Sequence, residues 1–289
     1  MAAVNARGPA ASAASRSDES LGDGVRADRI RVGVGGWTFA PWRKNFYPAG
    51  LVQRRELEYA SRQLTAIEIN GTFYRAQKPA TYATWRDATP EGFVFSAKAP
   101  MRIVQAPVLS DTGGQVADFV GGIASLGDRL GPIVWQFDKG PPIDREDFAG
   151  FLDLLPADID GRRLRHVLDV RDPAFVDAGY LALARTHGLA TVFTDSAEYP
   201  SFADLTTDFV YARLMRSRSG IATGYERSEL DAWAWRARLW ADGGEPDDLP
   251  RIAPSTVAAQ PRDVFVFFIS GAKERNPAAA MALIERLRD

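Results

Sequence analysis

Residues 66–74, Ala-Ile-Glu-Ile-Asn-Gly-Thr-Phe-Tyr, hold the densest chemistry in the chain. Ile67 and Ile69 alternate with Glu68 and Asn70, the period of a β-strand. A strand with a carboxylate and an amide on its inner side puts an acid where burial is costly unless a partner or a ligand compensates it. Other apolar runs carry polar residues in the same manner: Lys98, Gln136, Asp169 with Arg171, Asp195, Arg213 and Ser270, while Trp37 closes the first run. Glu68, Asp169 and Asp195 are negative; Lys98, Arg171 and Arg213 are positive. A water-poor site tolerates such a set only if the charges pair or bind something. One reading is structural ion pairing. The other, favoured by the spread of the charges over five strands, is a pre-formed pocket for a small polyhydroxylated or anionic ligand.

Several chemistries fit these residue types. General acid–base work needs a carboxylate and a proton donor within reach of one substrate. Glu68 as base and Lys98 as acid or electrostatic stabiliser, with Asp169 beside them, form the candidate catalytic set. Lys98 is expected to keep its charge between two acids, which suits stabilising a developing anion; the plainer alternative is that Glu68 and Lys98 simply pair. A glycosidase would need Glu68 and Asp169 or Asp195 at one of two characteristic separations. A carboxylate-held magnesium or manganese ion on Glu68, Asp169 and Asp195 stays open, although no cofactor is expected. The two histidines, His166 at a strand start and His187 at a helix end, read as structural. An anion site is the more concrete proposal. Arg213 to Gly220 and Ser270 to Lys273 follow the last two strands, with Arg216 and Ser270 at their starts, and barrels bind phosphate in such loops. The glycines of Gly33-Val-Gly35-Gly36 are not a dinucleotide fingerprint, because Thr38 stands at the third glycine position. They read instead as small residues filling the interior near Trp37.

Composition narrows the classes. The 289 residues are 46% hydrophobic and 25% charged, with net charge −2, ordinary for a globular protein. Nucleic acid is not favoured as a partner by this charge, but a local basic patch beside Trp37, Trp42, Phe73 and Tyr74 keeps a nucleic-acid-binding module as the alternative. The absence of cysteine excludes disulfides, thiolate catalysis and iron–sulfur clusters. Residues 1–28 are mainly Ala, Ser, Gly, Arg and Asp and read as a disordered tail. They lack the apolar core of a secretory signal, and no run reaches the roughly 18 apolar residues of a membrane span. A cytoplasmic protein without membrane partners is expected.

The elements that must position these residues follow in alternation. Strands are expected at 30–39, 66–74, 93–99, 132–138, 165–171, 190–195, 209–215 and 263–270. Helical patterns lie between them, including the stripe from Val116 to Leu130. Asp144 reads as an N-cap, Gly188 as a helix-ending glycine, Ser228 as the cap of a helix carrying Trp233, Trp235 and Trp240, and Pro277 as the opening of the last helix. Trp233, Trp235 and Trp240 read mostly as helix packing, with Trp235 and Arg236 as the exposed pair suited to an oligomer contact. Little helix fits between Asp195 and Phe209. Eight strands alternating with helices over about 260 residues predict a single-domain (β/α)8 TIM barrel spanning 29–289, and its C-terminal strand ends would hold the site.

The motifs Val34-Gly35-Gly36-Trp37, Trp42-Arg43, Phe46-Tyr47-Pro48, Glu68-Ile-Asn70-Gly-Thr72-Phe73-Tyr74 and Phe95-Ser-Ala-Lys98-Ala-Pro100 resemble the YecE-like family, domain of unknown function 72. The resemblance covers about residues 30 to 288. It implies a TIM barrel and a pocket at Trp37, Glu68, Asn70, Tyr74, Lys98, Gln136, Arg171 and Arg213, but no reaction. The later motifs depart from the family pattern. Asp169-Val-Arg171-Asp172 stands where Glu-Phe-Arg-His is usual, Met215-Arg216 where His-Gly is usual, and Ile269-Ser270 where Asn-Asn is usual. These changes imply a subgroup with a different ligand.

Overall fold

The computed structural model describes residues 28–140 and 142–288. The tail expected over 1–28 therefore lies outside the described residues, except for Asp28. The described residues form ten strands, β1–β10, and eight α-helices, α1–α8, in chain order. The barrel strands are β1 (Ile30–Gly35), β2 (Ala66–Ile69), β3 (Val94–Lys98), β4 (Leu130–Phe137), β7 (His166–Val170), β8 (Ala190–Thr194), β9 (Phe209–Leu214) and β10 (Asp263–Phe268). Each pairs in parallel with its neighbours, and β10 pairs with β1 to close the ring. Strands β5 (Asp158–Ile159) and β6 (Arg162–Arg163) form a separate hairpin. Its turn is Asp160-Gly161, both in the left-handed region, a two-residue hairpin signal that the strand pattern alone passes over.

The helices are α1 (Glu56–Gln63), α2 (Pro79–Asp87), α3 (Met101–Val104), α4 (Gly113–Ile123), α5 (Arg145–Asp153), α6 (Ala178–Thr186), α7 (Arg227–Ala241) and α8 (Asn276–Arg288). Their ends follow local chemistry. Asp144 caps α5 by accepting from the Asp147 N–H, and Asp177 caps α6 in the same way from Tyr180. Gly188, at φ +64°, follows α6. Two local expectations are corrected. The cap of α7 is not Ser228: the helix starts at Arg227, and Glu229 accepts from the Glu226 N–H in a capping box. The stripe to Leu130 does not stay α-helical, because the chain passes into a 3₁₀ segment after Ile123, turns at Gly127 (φ +58°) and enters β4 at Leu130. No helix joins β8 to β9, as the spacing from Asp195 to Phe209 predicts.

Two apolar layers result. Alternate strand residues face inward, where Ala66, Val134, Val167, Val192, Tyr211, Phe265 and Phe267 pack together. The others meet the helices in a larger layer that includes Trp135, Phe137, Phe148 and Trp240. Gly33 faces inward beside β2, and a Cβ there would stand 2.0 Å from the Ala66 carbonyl oxygen. The glycine thus permits close approach of backbones rather than only saving space. His166 belongs to the packing: Trp135 Nε1 donates to its Nδ1 over 3.0 Å, which leaves Nε2–H to donate to the Pro156 carbonyl. Burial pushes its pKa down to about 4. Trp233 and Trp240 are buried in the helix layer while Trp235 is exposed, matching the division expected from the helix pattern. Arg236 pairs with Asp248 over the Trp233 ring.

Candidate functional site

On five of the strands the inward position nearest the C-terminal end is polar: Glu68 on β2, Lys98 on β3, Gln136 on β4, Asp169 on β7 and Arg213 on β9. Period-two alternation puts them there, each two residues beyond an inward apolar or small residue. Arg213 is only 1% exposed and sits at the centre. Its Nε donates to Glu68 Oε2 (3.0 Å) and its Nη2 to Glu68 Oε1 (2.5 Å). Its Nη1 donates to Asp169 Oδ2 (2.5 Å) and to Gln136 Oε1 (2.9 Å). The Tyr211 hydroxyl, two residues earlier on the same face, donates to Glu68 Oε2 over 2.6 Å. Ser96 lies 2.8 Å from that hydroxyl and 2.9 Å from the Pro132 carbonyl. This is where the β3–β4 register shifts, beside a proline that has no N–H for the ladder.

A bidentate guanidinium is the geometry that best repays the desolvation of two acids. Burial alone would raise the Glu68 carboxyl. The Arg213 charge, hydrogen bonds from Arg213 and Tyr211, and the Lys98 charge together outweigh it and hold Glu68 below the ordinary carboxylate range. Both Glu68 oxygens are thus occupied, and the carboxylate is a fixed counter-charge. The plainer alternative, a Glu68–Lys98 ion pair, does not form; Arg213 takes Glu68 instead.

Above this plate lies a cavity of about 340 Å³ lined by Gly35, Asn70, Lys98, Arg171, Ser270, Lys273 and their neighbours. Arg171 is held in place by Asp138 (3.1 Å), Gln136 (2.9 Å) and Asp169 (3.4 Å), with the Tyr199 ring 4.0 Å away. Asp138, Tyr199 and Tyr211 escaped the sequence reading, although Asp138 directly follows β4 and Tyr211 shares the face of Arg213. Lys98 is the exception to the pairing. Its ammonium rests 3.8 Å over the Phe73 ring and has no hydrogen bond or ion pair with a described side chain. Burial first, and the Arg213 charge second, push its pKa down to about 8, against the opposing pull of Glu68. Lys98 thus stays mostly charged at neutral pH, although the neighbouring acids pair with Arg213 rather than with it. Lys273 lies 4.7 Å over Phe39, likewise without an ion pair among the described residues, and burial lowers its pKa.

The remaining candidates divide. β2 ends at Ile69, so Asn70 is not a strand residue; it turns into a 3₁₀ segment with φ −87° and ψ −21°. It still reaches the cavity, because a Cβ on Gly35 would stand 2.7 Å from Asn70 Nδ2. Ser270 lines the cavity at φ +62°, a left-handed conformation unusual for a side-chain-bearing residue. Its carbonyl accepts from Asn276 Nδ2. Tyr74 stands at the rim, 81% exposed. Trp37 is not in the cavity: β1 stops at Gly35, Gly36 turns at φ +75°, and the indole packs against Trp85 and Phe95. The basic loop after β9 does not join the cavity: Arg218 pairs with Glu229, and of the loops after β9 and β10 it is the latter that supplies a cation, Lys273.

Asp195 and Arg216 line a different cavity, of about 600 Å³, between the barrel and α7. The Met215 N–H and the Tyr225 hydroxyl donate to Asp195. Glu68, Asp169 and Asp195 thus do not converge. Among the described residues no group of three His, Cys, Asp or Glu side chains is arranged to hold a metal ion. Burial pushes the Asp195 carboxyl up to about 6 despite those two donors. A carboxyl raised on folding stabilises the protein while protonated and loses that contribution as pH rises from about 4 through about 6. Asp195→Asn should therefore equal wild type near pH 4 and exceed it above pH 6 by at most about 3 kcal/mol. Denaturant titrations at the two pH values check this; parallel curves would contradict it.

A closed parallel (β/α)8 barrel with a polar cavity at the strand C-termini defines the molecule as a TIM-barrel protein. The chain belongs to the family described as protein of unknown function DUF72, whose model matches residues 31–289, as the motifs of the first hundred residues imply. It is 26% identical over 151 residues to the UPF0759 protein YecE of Escherichia coli K12, a match covering 52% of this chain and 51% of that protein. The chain thus matches about half the length of its curated relatives. Two crystal structures share its fold. A DUF72 family protein from Thermotoga maritima superposes with a TM-score of 0.66 at 16% identity, covering 89% of this chain and 97% of that one. Another from Enterococcus faecalis gives 0.64 at 13% identity, covering 89% and 94%. Among the described residues no helix is long and apolar enough to cross a membrane.

Proposed function

We propose that the cavity at the strand ends binds a small anionic ligand, phosphorylated or polyhydroxylated, and that Lys98 is the group that acts on it. The observation carrying this reading is the contrast within one charge cluster. Glu68, Asp169 and Arg213 satisfy one another, whereas the largely buried Lys98 ammonium faces the cavity without an ion pair among the described residues. A buried cation without a counter-ion is costly until an anion supplies one. Asn70, Ser270 and Lys273 line the same space and would orient the ligand's oxygens.

In this reading Lys98 stabilises negative charge on the bound ligand and, with a pKa of about 8, can give up a proton near neutral pH. Arg171 offers a second positive edge. Glu68 and Asp169 serve as positioning residues through Arg213 and are not the proton acceptors. Sulfate, whose charge is constant across the range, is the test probe. Its affinity, measured by calorimetry, should fall as pH rises through about 8 and fall at least tenfold in Lys98→Met. Unchanged sulfate binding in that variant would remove Lys98 from the site.

A further inference from the structure

A second cavity, of about 520 Å³, adjoins the first and shares Phe73 and Tyr74 with it. Its wall continues through Arg75, Met101, Arg102 and Gln105. Arg75 and Arg102 are exposed, and neither has an ion pair among the described residues. Tyr74 and Met101 are two of the few exposed large apolar side chains. Neither cavity has an aspartate or glutamate in its lining, although the chain is net negative. The cavity at α7, by contrast, sets Asp195 and Glu229 beside Arg216 and Arg236. The two adjoining cavities thus form a trough lined by cations without a lining acid, with the exposed Tyr74 ring shared between them.

That set of groups, ammonium, aromatic ring and guanidinium, suits a ligand with an anion at each end of a short backbone and a planar ring branching from its middle. We infer that the trough takes a nucleotide unit phosphorylated on both sides: one phosphate in the mouth at Lys98, the base stacked on Tyr74, and the next phosphate on Arg75 and Arg102. This rests on the anion-binding reading of the mouth and extends it outward. The chemistry is shared by a free nucleoside bisphosphate and by the end of a single-stranded nucleic acid. A base still stacked within a duplex cannot present its face to Tyr74, so duplex should bind poorly.

The test uses the full chain with three probes: sulfate, a nucleoside 3′,5′-bisphosphate, and a fluorescent 5′-phosphorylated single-stranded tetranucleotide. Tyr74→Ala should weaken the two nucleotide probes about tenfold or more, far more than it weakens sulfate, and Tyr74→Phe should restore them. The double change Arg75→Ala with Arg102→Ala should reduce the salt dependence of tetranucleotide binding, lowering the slope of log affinity against log salt by about 1.4. Equal affinity for bisphosphate and tetranucleotide would support a free nucleotide; a tetranucleotide preferred tenfold would support a strand end. If Lys98→Met abolishes sulfate binding but the Tyr74 and arginine variants bind nucleotides like wild type, the trough is overturned and the mouth stands. If sulfate binding ignores Lys98, the mouth reading falls and the two-anchor geometry falls with it.

Discussion

Arg213→Met should lower folding stability by about 3–5 kcal/mol, seen as a fall in midpoint temperature of roughly 10 °C. Met replaces the apolar stem though not the guanidinium, so lost packing is the smaller part of the effect. What matters is that Glu68, fully buried, and Asp169, nearly so, lose the charge that repays their desolvation. Tyr211 would remain as a donor to Glu68, but a neutral hydroxyl cannot replace a bidentate guanidinium. Arg213→Lys should recover only part of the loss, since one ammonium cannot reproduce the fork that meets both acids. Combining Arg213→Met with Glu68→Gln and Asp169→Asn should be milder than the single change, because no orphaned charge is left. A single variant within 1 kcal/mol of wild type would show that the network is not the stabilising unit described.

Lys98→Met should move stability the other way. The folded protein holds the Lys98 pKa near 8, below the ordinary lysine value of 10.5. A lysine lowered on folding is destabilising while charged, and that penalty disappears as pH rises from about 8 to about 10.5. At neutral pH, replacing the ammonium by an apolar side chain over Phe73 should therefore raise stability, by up to about 3 kcal/mol. Above pH 10.5 the advantage should vanish. Because the same variant is expected to lose sulfate affinity, it would separate stability from binding at one position. Denaturant titration at pH 7 and at pH 11 measures it. A variant less stable than wild type at pH 7 would mean that Lys98 has a counter-charge in the free protein after all.

Much of this was legible before any coordinates. Alternation along β2, β7 and β9 was enough to turn Glu68, Asp169 and Arg213 toward one interior, since period two is a property of the strand itself. The eight-strand count, the missing helix after β8 and the cap at Asp144 were also local signals. What escaped was pairing across the barrel. Glu68 lies 145 residues from Arg213, and no spacing rule could prefer that partner over Lys98. Trp37 and Asp195 failed to join the cavity for a related reason. Each lies just past a strand end, where the chain no longer obeys the pleat: Gly36 redirects Trp37 toward α2, and the Tyr225 hydroxyl and Met215 N–H draw Asp195 into the second cavity. Asn70 had also left the strand, yet reached the mouth through the gap that Gly35 leaves open.

The Glu68–Arg213–Asp169 plate also limits how such a protein can diversify. Any one-residue change that removes a charge from the plate passes through an intermediate that buries an unmatched charge, at a cost of about a third or more of a typical domain's margin of stability. Its members must therefore be inherited together or exchanged in compensated pairs. The rim is under no such constraint, because Tyr74, Ser270 and Lys273 stand on turns whose side chains hold no buried counter-charge. New ligand preferences are most accessible to this lineage by substitution around the opening, above a floor that stays fixed.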